Sequence, residues 1–327
     1  MSHHPRRSAI THVRAAMLVL VIAALAVTAT ATEAPAASRS ITITDSTGHT
    51  ERLDRPATRV VALEWVHAED LATLGVEPVG VADKGGYAFW VAQPTLSKRT
   101  VDVGTRQQPS LERIAALRPD LIVGVEHRLE GSRRQLDRIA PTLLFNPYPR
   151  SGDRLDEMRT TFSAIAKATG REARAASVLA ELDAKFTAAT TTLATAGLAA
   201  APVALAQAGT SEGQVGARMF TSNSMAVEIL TAIGLRNGWP GPNETYGFNL
   251  ADLESFTLMA ADVSFVYVPQ SAKDDIVRGQ FAGNPVWDGL GFVRAGHVSR
   301  LPPDTWLYGG PRSAEVFVDR LLERLVQ

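Results

Sequence analysis

The chain has 327 residues, enough for one large domain or two of about 150. Hydrophobic residues make up 45% and charged residues 20%, the balance of an ordinary globular protein. The net charge of −1 gives no overall bias toward nucleic acid, and the absence of cysteine excludes a disulfide scaffold.

At the N-terminus Arg6, Arg7 and Arg14 precede an apolar run at 15–27, AAMLVLVIAALAV, too short to span a bilayer easily. Small residues follow, and Ala29-Thr30-Ala31 and Ala34-Pro35-Ala36 have the form of cleavage sites. This layout predicts a secretory signal peptide over 1–36; an uncleaved membrane anchor is the alternative. Arg6-Arg7 admits a twin-arginine route, but RRSAIT lacks the apolar residues usual after that pair, so the export route stays open. Cleavage after Ala36 removes three Arg and one Glu, leaving 30 basic and 33 acidic residues and a net charge of −3. With no thiol to carry a lipid, the expectation is a soluble exported protein, periplasmic in a Gram-negative cell.

The mature chain opens with SITITDSTGHTERLD (40–54), which alternates and turns at Gly48: a hairpin or edge strand. Short apolar strands then alternate with short helices. RVVAL is a strand and HAEDLATLG a helix ending at Gly75; PVGVA is a strand. SLERIAALRPD is a helix with Ser110 as N-cap and a stop before Pro119, LIVGV a strand, SRRQLDRIA a helix and TLLF a strand. That order predicts a layered α/β domain with a largely parallel sheet.

From Asp153 to Thr169 one helical pattern runs unbroken, with Leu155, Met158, Phe162 and Ile165 on one face and Gly170 at its end. A second helix carries Val178, Leu179, Leu182 and Phe186. A new α/β run follows Pro202: VALAQ as strand, SMAVEILTAIGL and ADLESFTLMAAD as helices, VSFVYV and HVSRL as strands, and SAEVFVDRLLERLV as the last helix. PSLERIAALRPDLIVGV and ADLESFTLMAADVSFVYV share one plan. The expected architecture is therefore two α/β lobes, 37–152 and 170–327, each with a mainly parallel sheet, joined by a single long helix at 153–169. A helix hinges less readily than extended crossovers, so small closure is expected.

The clearest catalytic signature is GTSEG (209–213), which matches G-x-S-x-G after a strand, with Asp262 or Asp274 and then His297 following in hydrolase order. An exported serine hydrolase using Ser211 is one reading. Against it, the nucleophile elbow needs a helix directly after the serine, and Gly213 and Gly216 stand there instead. A Gly-rich loop beside a cleft is the plainer reading. His49, His67, His127 and His297 are scattered without ligand spacing, so no protein-built metal site is expected. GVADKGGYAFW lacks the G-x-G-x-x-G of a dinucleotide site.

Aromatics are the remaining signal. Trp65, Tyr87, Phe89 and Trp90 fall in the first half, and Trp239, Tyr246, Trp306 and Tyr308 in the second, several among Gly and Pro as if in loops. Each could be core, or could line a cleft at strand ends. In TWLYGG, Trp306 and Tyr308 should share one face and Leu307 the other, and the Gly pair should let the backbone bend. Arg106, in the turn VDVGTRQQPS, offers five fixed donors to an oxygen-rich or anionic ligand.

These phrases resemble the periplasmic binding proteins of ABC transporters for iron siderophores and cobalamin, most closely the ferric hydroxamate binders. The resemblance covers almost all of the mature chain. It is carried by RVVALEWVHAEDLATLGVEPVGVAD, VDVGTRQQPSLERIAALRPDLIV, RIAP, WPGPNETYG and FVRAGHVSRLPPDTWLYGG. It implies the helical-linker (class III) fold, no catalysis, no resident cofactor, and a ferric siderophore whose own oxygens hold the iron. It implies that Arg106 bonds the chelating oxygens, that Trp90 lines the first wall, and that Trp306 and Tyr308 line the second. Tyr246 stands seven residues after Trp239, where the family has a further tryptophan. One departure matters: the family's tyrosine in the loop after the third strand is missing from VEHRLEGSRR, where His127 or Arg128 could serve as donor. Added positive charge would suit a carboxylate or mixed chelate. The same fold could instead carry cobalamin, haem or ferric citrate. The resemblance also implies a permease partner met by an acidic residue on each lobe: Glu254 matches, while Arg134 holds the first-lobe position with Glu130 nearby. A monomer is expected.

Overall fold

A computed structural model of the chain describes residues 40–149, 152–211, 214–271 and 273–326; the expected signal peptide at 1–36 lies outside the described residues. The hairpin predicted at 40–54 forms from β1 (Ile41–Thr44) and β2 (Thr50–Leu53), antiparallel, with Ile41 opposite Leu53.

The first α/β run follows: β3 (Val60–Ala62), α1 (Trp65–Thr73), β4 (Gly80–Val81), α2 (Lys84–Trp90), β5 (Val101–Asp102), α3 (Leu111–Ala116), β6 (Leu121–Val125), α4 (Glu126–Leu129), α5 (Arg133–Leu136) and β7 (Thr142–Phe145). Its five strands pair in the order β5-β4-β3-β6-β7, all parallel. Alternate residues enter different cores. Val60, Ala62, Leu121 and Val123 meet α1, whereas Val61, Leu63, Ile122 and Leu144 meet Ile114, Leu129 and Leu136. With both faces covered, the strands read as unbroken apolar runs.

Two long helices come next, α6 (Arg154–Thr169) and α7 (Glu172–Thr195). Asp153 caps α6, its carboxylate accepting from Leu155 N at 2.8 Å, and Gly170 ends it at φ +65°, a conformation that favours glycine. Leu155 and Met158 at the start of α6 lie in a core with Leu205 and Val266; Phe162, Ile165 and Ala166 near its end lie in the core of the first sheet. The α7 helix doubles back in the same way, with Ala175 and Val178 in the first core and Leu182, Phe186 and Leu193 in the second. The predicted connecting helix thus acts with α7 as an antiparallel pair that ties both cores.

The second run is β8 (Pro202–Ser211), β9 (Gln214–Phe220), α8 (Met225–Ala232), β10 (Arg236–Asn237), β11 (Phe248–Ala251), β12 (Ser264–Pro269), α9 (Pro285–Gly289), α10 (Gly291–Arg294), β13 (Val298–Arg300) and α11 (Pro311–Leu325). The strand order is β11-β9-β8-β12-β13, with β10 also on β8. Here the expectation of a mainly parallel sheet needs refinement. β8, β10, β12 and β13 are parallel, but β9 pairs antiparallel with β8 and β11 antiparallel with β9. Gln214–Phe220 is strand, and Gly216 lies against the Ala251 carbonyl of β11, where a side chain would collide. ADLESFTLMAAD is not an α-helix either; only a 3-10 turn, Glu254–Leu258, forms, nucleated by Asp252 Oδ1, which accepts from Ser255 N at 3.0 Å.

That hairpin removes the hydrolase reading. Ser211 pairs with Gln214 across an antiparallel ladder, where a nucleophile elbow would need a helix. Asp274 braces the hairpin instead, accepting from Thr210 N at 2.7 Å.

Candidate functional site

A parallel strand delivers its following loop to one edge of the sheet, and the carboxyl edge is where α/β folds collect ligand-facing residues. Glu64 follows β3, Arg106 follows β5, His127 and Arg128 follow β6, and Tyr148 follows β7. All five line one cavity of about 350 Å³, together with Arg154 of α6, Arg218 and Phe220 of β9, Tyr246, Phe248, Trp306 and Tyr308.

Glu64 organises the first wall. Its residue is 6% exposed, and its carboxylate caps α1 through Trp65 N at 3.0 Å. Oε1 accepts from Arg106 Nη1 at 2.7 Å and Oε2 from Arg128 Nε at 3.0 Å. Burial alone would raise its pKa, but the two guanidiniums hold it below the ordinary glutamate value, so it stays ionised. One carboxylate therefore holds two arginines side by side at the cavity, and Asp83 adds a second, longer ion pair to Arg106 at 3.9 Å. The Arg106 guanidinium lies over the Trp65 ring, 3.5 Å from its centroid, and its buried Nε makes no hydrogen bond among the described residues but stands 3.9 Å from Asp83 Oδ2. The turn that carries it depends on Gly104, at φ +105° with the Gln108 carbonyl pressed against it.

Rings form the rest of the wall. His127, Tyr148 and Tyr246 make a mutual cluster with centroids 5.2–6.2 Å apart. Burial and then Arg128 push the His127 pKa down, so the imidazole is neutral at pH 7; burial pushes Tyr148 up, so its hydroxyl keeps its proton. A second row runs Trp65–Trp306–Tyr308–Phe220, with centroid spacings of 5.1, 5.1 and 5.5 Å. As the i, i+2 spacing predicts, Trp306 and Tyr308 share a face, while Leu307 is buried in the second core.

The structure gathers six of the seven predicted ligand residues around this cavity: Arg106, His127, Arg128, Tyr246, Trp306 and Tyr308. Trp90 is not on its lining; it stands on α2, packed between the two cores with its ring 5.9 Å from Trp306, which it backs. The aromatics expected in loops divide differently from expectation. Trp65, Tyr87, Phe89 and Trp90 are helical; Trp65, Tyr87 and Trp239 are core residues at 3%, 1% and 6% exposure.

Among the lining residues that were missed are Glu64, Tyr148, Arg154 and Arg218. Glu64 could have been found as an acid at the junction of an apolar strand and a helix, and Tyr148 as an aromatic just beyond the strand TLLF. Tyr148 also supplies a phenol beside His127, from the loop after β7, where the loop after β6 has none. Arg154 reads as an exposed first-turn residue and Arg218 as one side of a strand, so neither gave a signal. Nor does bending explain the Gly309-Gly310 pair, since neither has positive φ. A Cβ on Gly310 would run into Asp70 Oδ1, and one on Gly309 into Ser313 and Glu69. The pair admits the carboxylates of α1 to the N-terminus of α11, where Glu69 Oε1 accepts from Ser313 N at 2.8 Å and Oε2 from Ser313 Oγ at 2.6 Å.

Residues 60–305 match the periplasmic binding protein family. The iron(3+)-hydroxamate-binding protein FhuD of Escherichia coli K12 is 29% identical over 281 residues, covering 86% of this chain and 90% of that protein. The Fe(3+)-citrate-binding protein YfmC of Bacillus subtilis 168 is 27% identical over 287 residues, covering 88% of this chain and 86% of that protein. Among solved structures, the Fe3+-Desferal-bound siderophore-binding protein FhuD of Vibrio cholerae superposes with a TM-score of 0.73 at 28% identity, over 82% of this chain and 98% of that one.

Proposed function

The chain belongs to the periplasmic binding protein family, a family of binders rather than enzymes, and on that premise we propose that it binds a ferric siderophore for an ABC importer. The chelate is of the hydroxamate or mixed hydroxamate/carboxylate class. The observation that carries this reading is the Arg106–Glu64–Arg128 bridge facing an aromatic cavity. A ferric siderophore arrives with iron saturated by its own oxygens, which retain partial negative charge. It needs positively charged donors, and flat apolar walls for its organic shell. Arg106 and Arg128 supply the first; Tyr246, Trp306 and Tyr308 supply the second. Neutral His127 and the Tyr148 hydroxyl add uncharged donors. The similarity to iron(3+)-hydroxamate and Fe(3+)-citrate binders supports the same class.

Delivery to a membrane permease fits the exposed positions of Glu254 and Glu130, and the protein acts as a periplasmic monomer on this reading. The test is titration of tryptophan fluorescence with ferrioxamine B, ferrichrome, ferric aerobactin, ferric citrate and cobalamin, each chelator also iron-free. Trp306 lines the cavity, so a true ligand quenches saturably. Saturable quenching by cobalamin alone, or by none of the panel, overturns the proposal.

A further inference from the structure

The cavity's second wall holds cations of a different kind from the first. Arg106 and Arg128 share Glu64, but Arg154 and Arg218 form no ion pair among the described residues. Arg154 is 6% exposed and spends one nitrogen, Nη2, on the Thr245 carbonyl at 2.9 Å, with its guanidinium 5.3 Å over Tyr148. Gly247, at φ +75°, leaves the space against Arg154 Nη1 that a side chain would fill. Arg218 meets neutral groups: Nη1 lies 3.4 Å from Gln207 Oε1, the guanidinium is 5.2 Å over Phe248, and it reaches the Tyr308 hydroxyl. The acid nearest Arg154 is Glu228, whose carboxylate is turned to the start of α6 and accepts from Leu155 N at 2.8 Å.

Two neutral donors on the same wall are also unanswered. The Tyr308 hydroxyl, which Arg218 reaches, and the Trp306 indole Nε1 are buried and have no acceptor for their hydrogens among the described residues. A buried cation without a counter-charge is costly, and a buried donor without an acceptor adds to the cost. This wall thus brings two guanidiniums and two further donors together with no carboxylate paired to them among the described residues. Four arginines and three acids, Glu64, Asp70 and Glu157, line the cavity, and Asp83 comes within 3.9 Å of Arg106 from outside the lining, so among the described residues the cations without an ion pair are the two of the second wall.

We propose that Arg154 and Arg218, with the Tyr308 and Trp306 donors, form a carboxylate subsite that takes a free carboxylate of the chelate, opposite the Arg106–Arg128 bridge that takes its iron-bound oxygens. This rests on the siderophore reading and deepens it: the preferred ligand carries hydroxamates and at least one uncoordinated carboxylate. Two guanidiniums suit that group because their planar forks match its geometry, whereas a chelate built from hydroxamates alone leaves both unpaired.

The experiment compares ferric aerobactin, which has hydroxamates and free carboxylates, with ferrioxamine B, which has hydroxamates and no carboxylate. Arg218→Gln keeps the strand and the contact to Gln207 while removing the charge. Expected results are at least tenfold tighter wild-type binding of ferric aerobactin, a tenfold or greater loss of that affinity in Arg218→Gln, and a change below twofold for ferrioxamine B. A measurement on the wild type alone stands beside it in case the variant folds poorly: raising NaCl from 50 to 500 mM should weaken ferric aerobactin several-fold more than ferrioxamine B. Equal losses for both chelates, no loss for either, equal salt dependence, or a wild type that binds ferrioxamine B and not ferric aerobactin overturns the subsite and leaves the siderophore reading standing. A wild type that binds no ferric chelate overturns both.

Discussion

Replacing Glu69 with Gln should flatten the pH dependence of stability, because Glu69 is a buried acid whose proton is held more tightly in the folded chain. It is 0% exposed, and burial first, then the adjacent Asp70, raises its pKa from 4.5 to about 7 despite the bonds from Ser313 and Gly310. Between those two values the folded state binds more protons than the unfolded state, so stability falls as pH rises. The loss begins near pH 4.5 and is complete above about pH 7. A shift of that size corresponds to roughly 2–3 kcal/mol between pH 5 and pH 8. At a urea slope of about 3 kcal/mol/M, the wild-type midpoint should drop by about 1 M over that interval. Asp70, Glu157 and Glu228 are also raised by burial and add to the wild-type slope, so the test lies in the difference between wild type and Glu69→Gln. The assay is urea unfolding of both proteins at pH 5, 6, 7 and 8, followed by tryptophan fluorescence. The variant should match wild type at pH 5 and exceed it at pH 8. Parallel curves would refute the reasoning. A variant much weaker than wild type at pH 8 would also refute it, and would mean that the amides at the start of α11 hold the ionised carboxylate.

Two further outcomes follow from the same geometry. Arg106→Ala should weaken binding of a ferric hydroxamate by about 1.5–3 kcal/mol, a factor of roughly 10–150 in Kd, read from fluorescence titration; an unchanged Kd would remove Arg106 from the site. Gly310→Ala places a methyl group against Asp70 Oδ1 and, at 3.2 Å, Glu69 Oε1, and should cost about 1–3 kcal/mol. A thermal melt unchanged from wild type would show that α1 and α11 can separate at this point without cost.

Much of the fold was legible because local rules agreed with the final arrangement. Ser110 caps α3 as read, its Oγ accepting from Arg113 N at 3.3 Å, and the 3.6-residue spacing of Leu155, Met158, Phe162 and Ile165 gave α6 between Asp153 and Gly170. The strands between helices read as parallel because both faces of the first sheet are buried. The failures have equally local causes. GTSEG carried the pattern of an elbow, but its flanking residues pair in a ladder that no five-residue motif encodes. The periodicity of ADLESFTLMAAD promised a helix, but Asp252 turned the chain instead.

Composition, period, caps and turn residues therefore determined the two α/β runs, the long connecting helix, and the arginine and aromatics brought in by resemblance. Only the tertiary structure decided what those residues face. Arg106 and Arg128 meet on Glu64 across 42 and 64 positions of chain, and Ser313 reaches Glu69 across 244. Arg154 and Arg218 look like surface residues in sequence and become cations that line a cavity with no ion pair among the described residues. Local sequence sets backbone conformation over a few residues, whereas the charge balance of a cleft depends on which distant side chains the packed cores bring within hydrogen-bond reach.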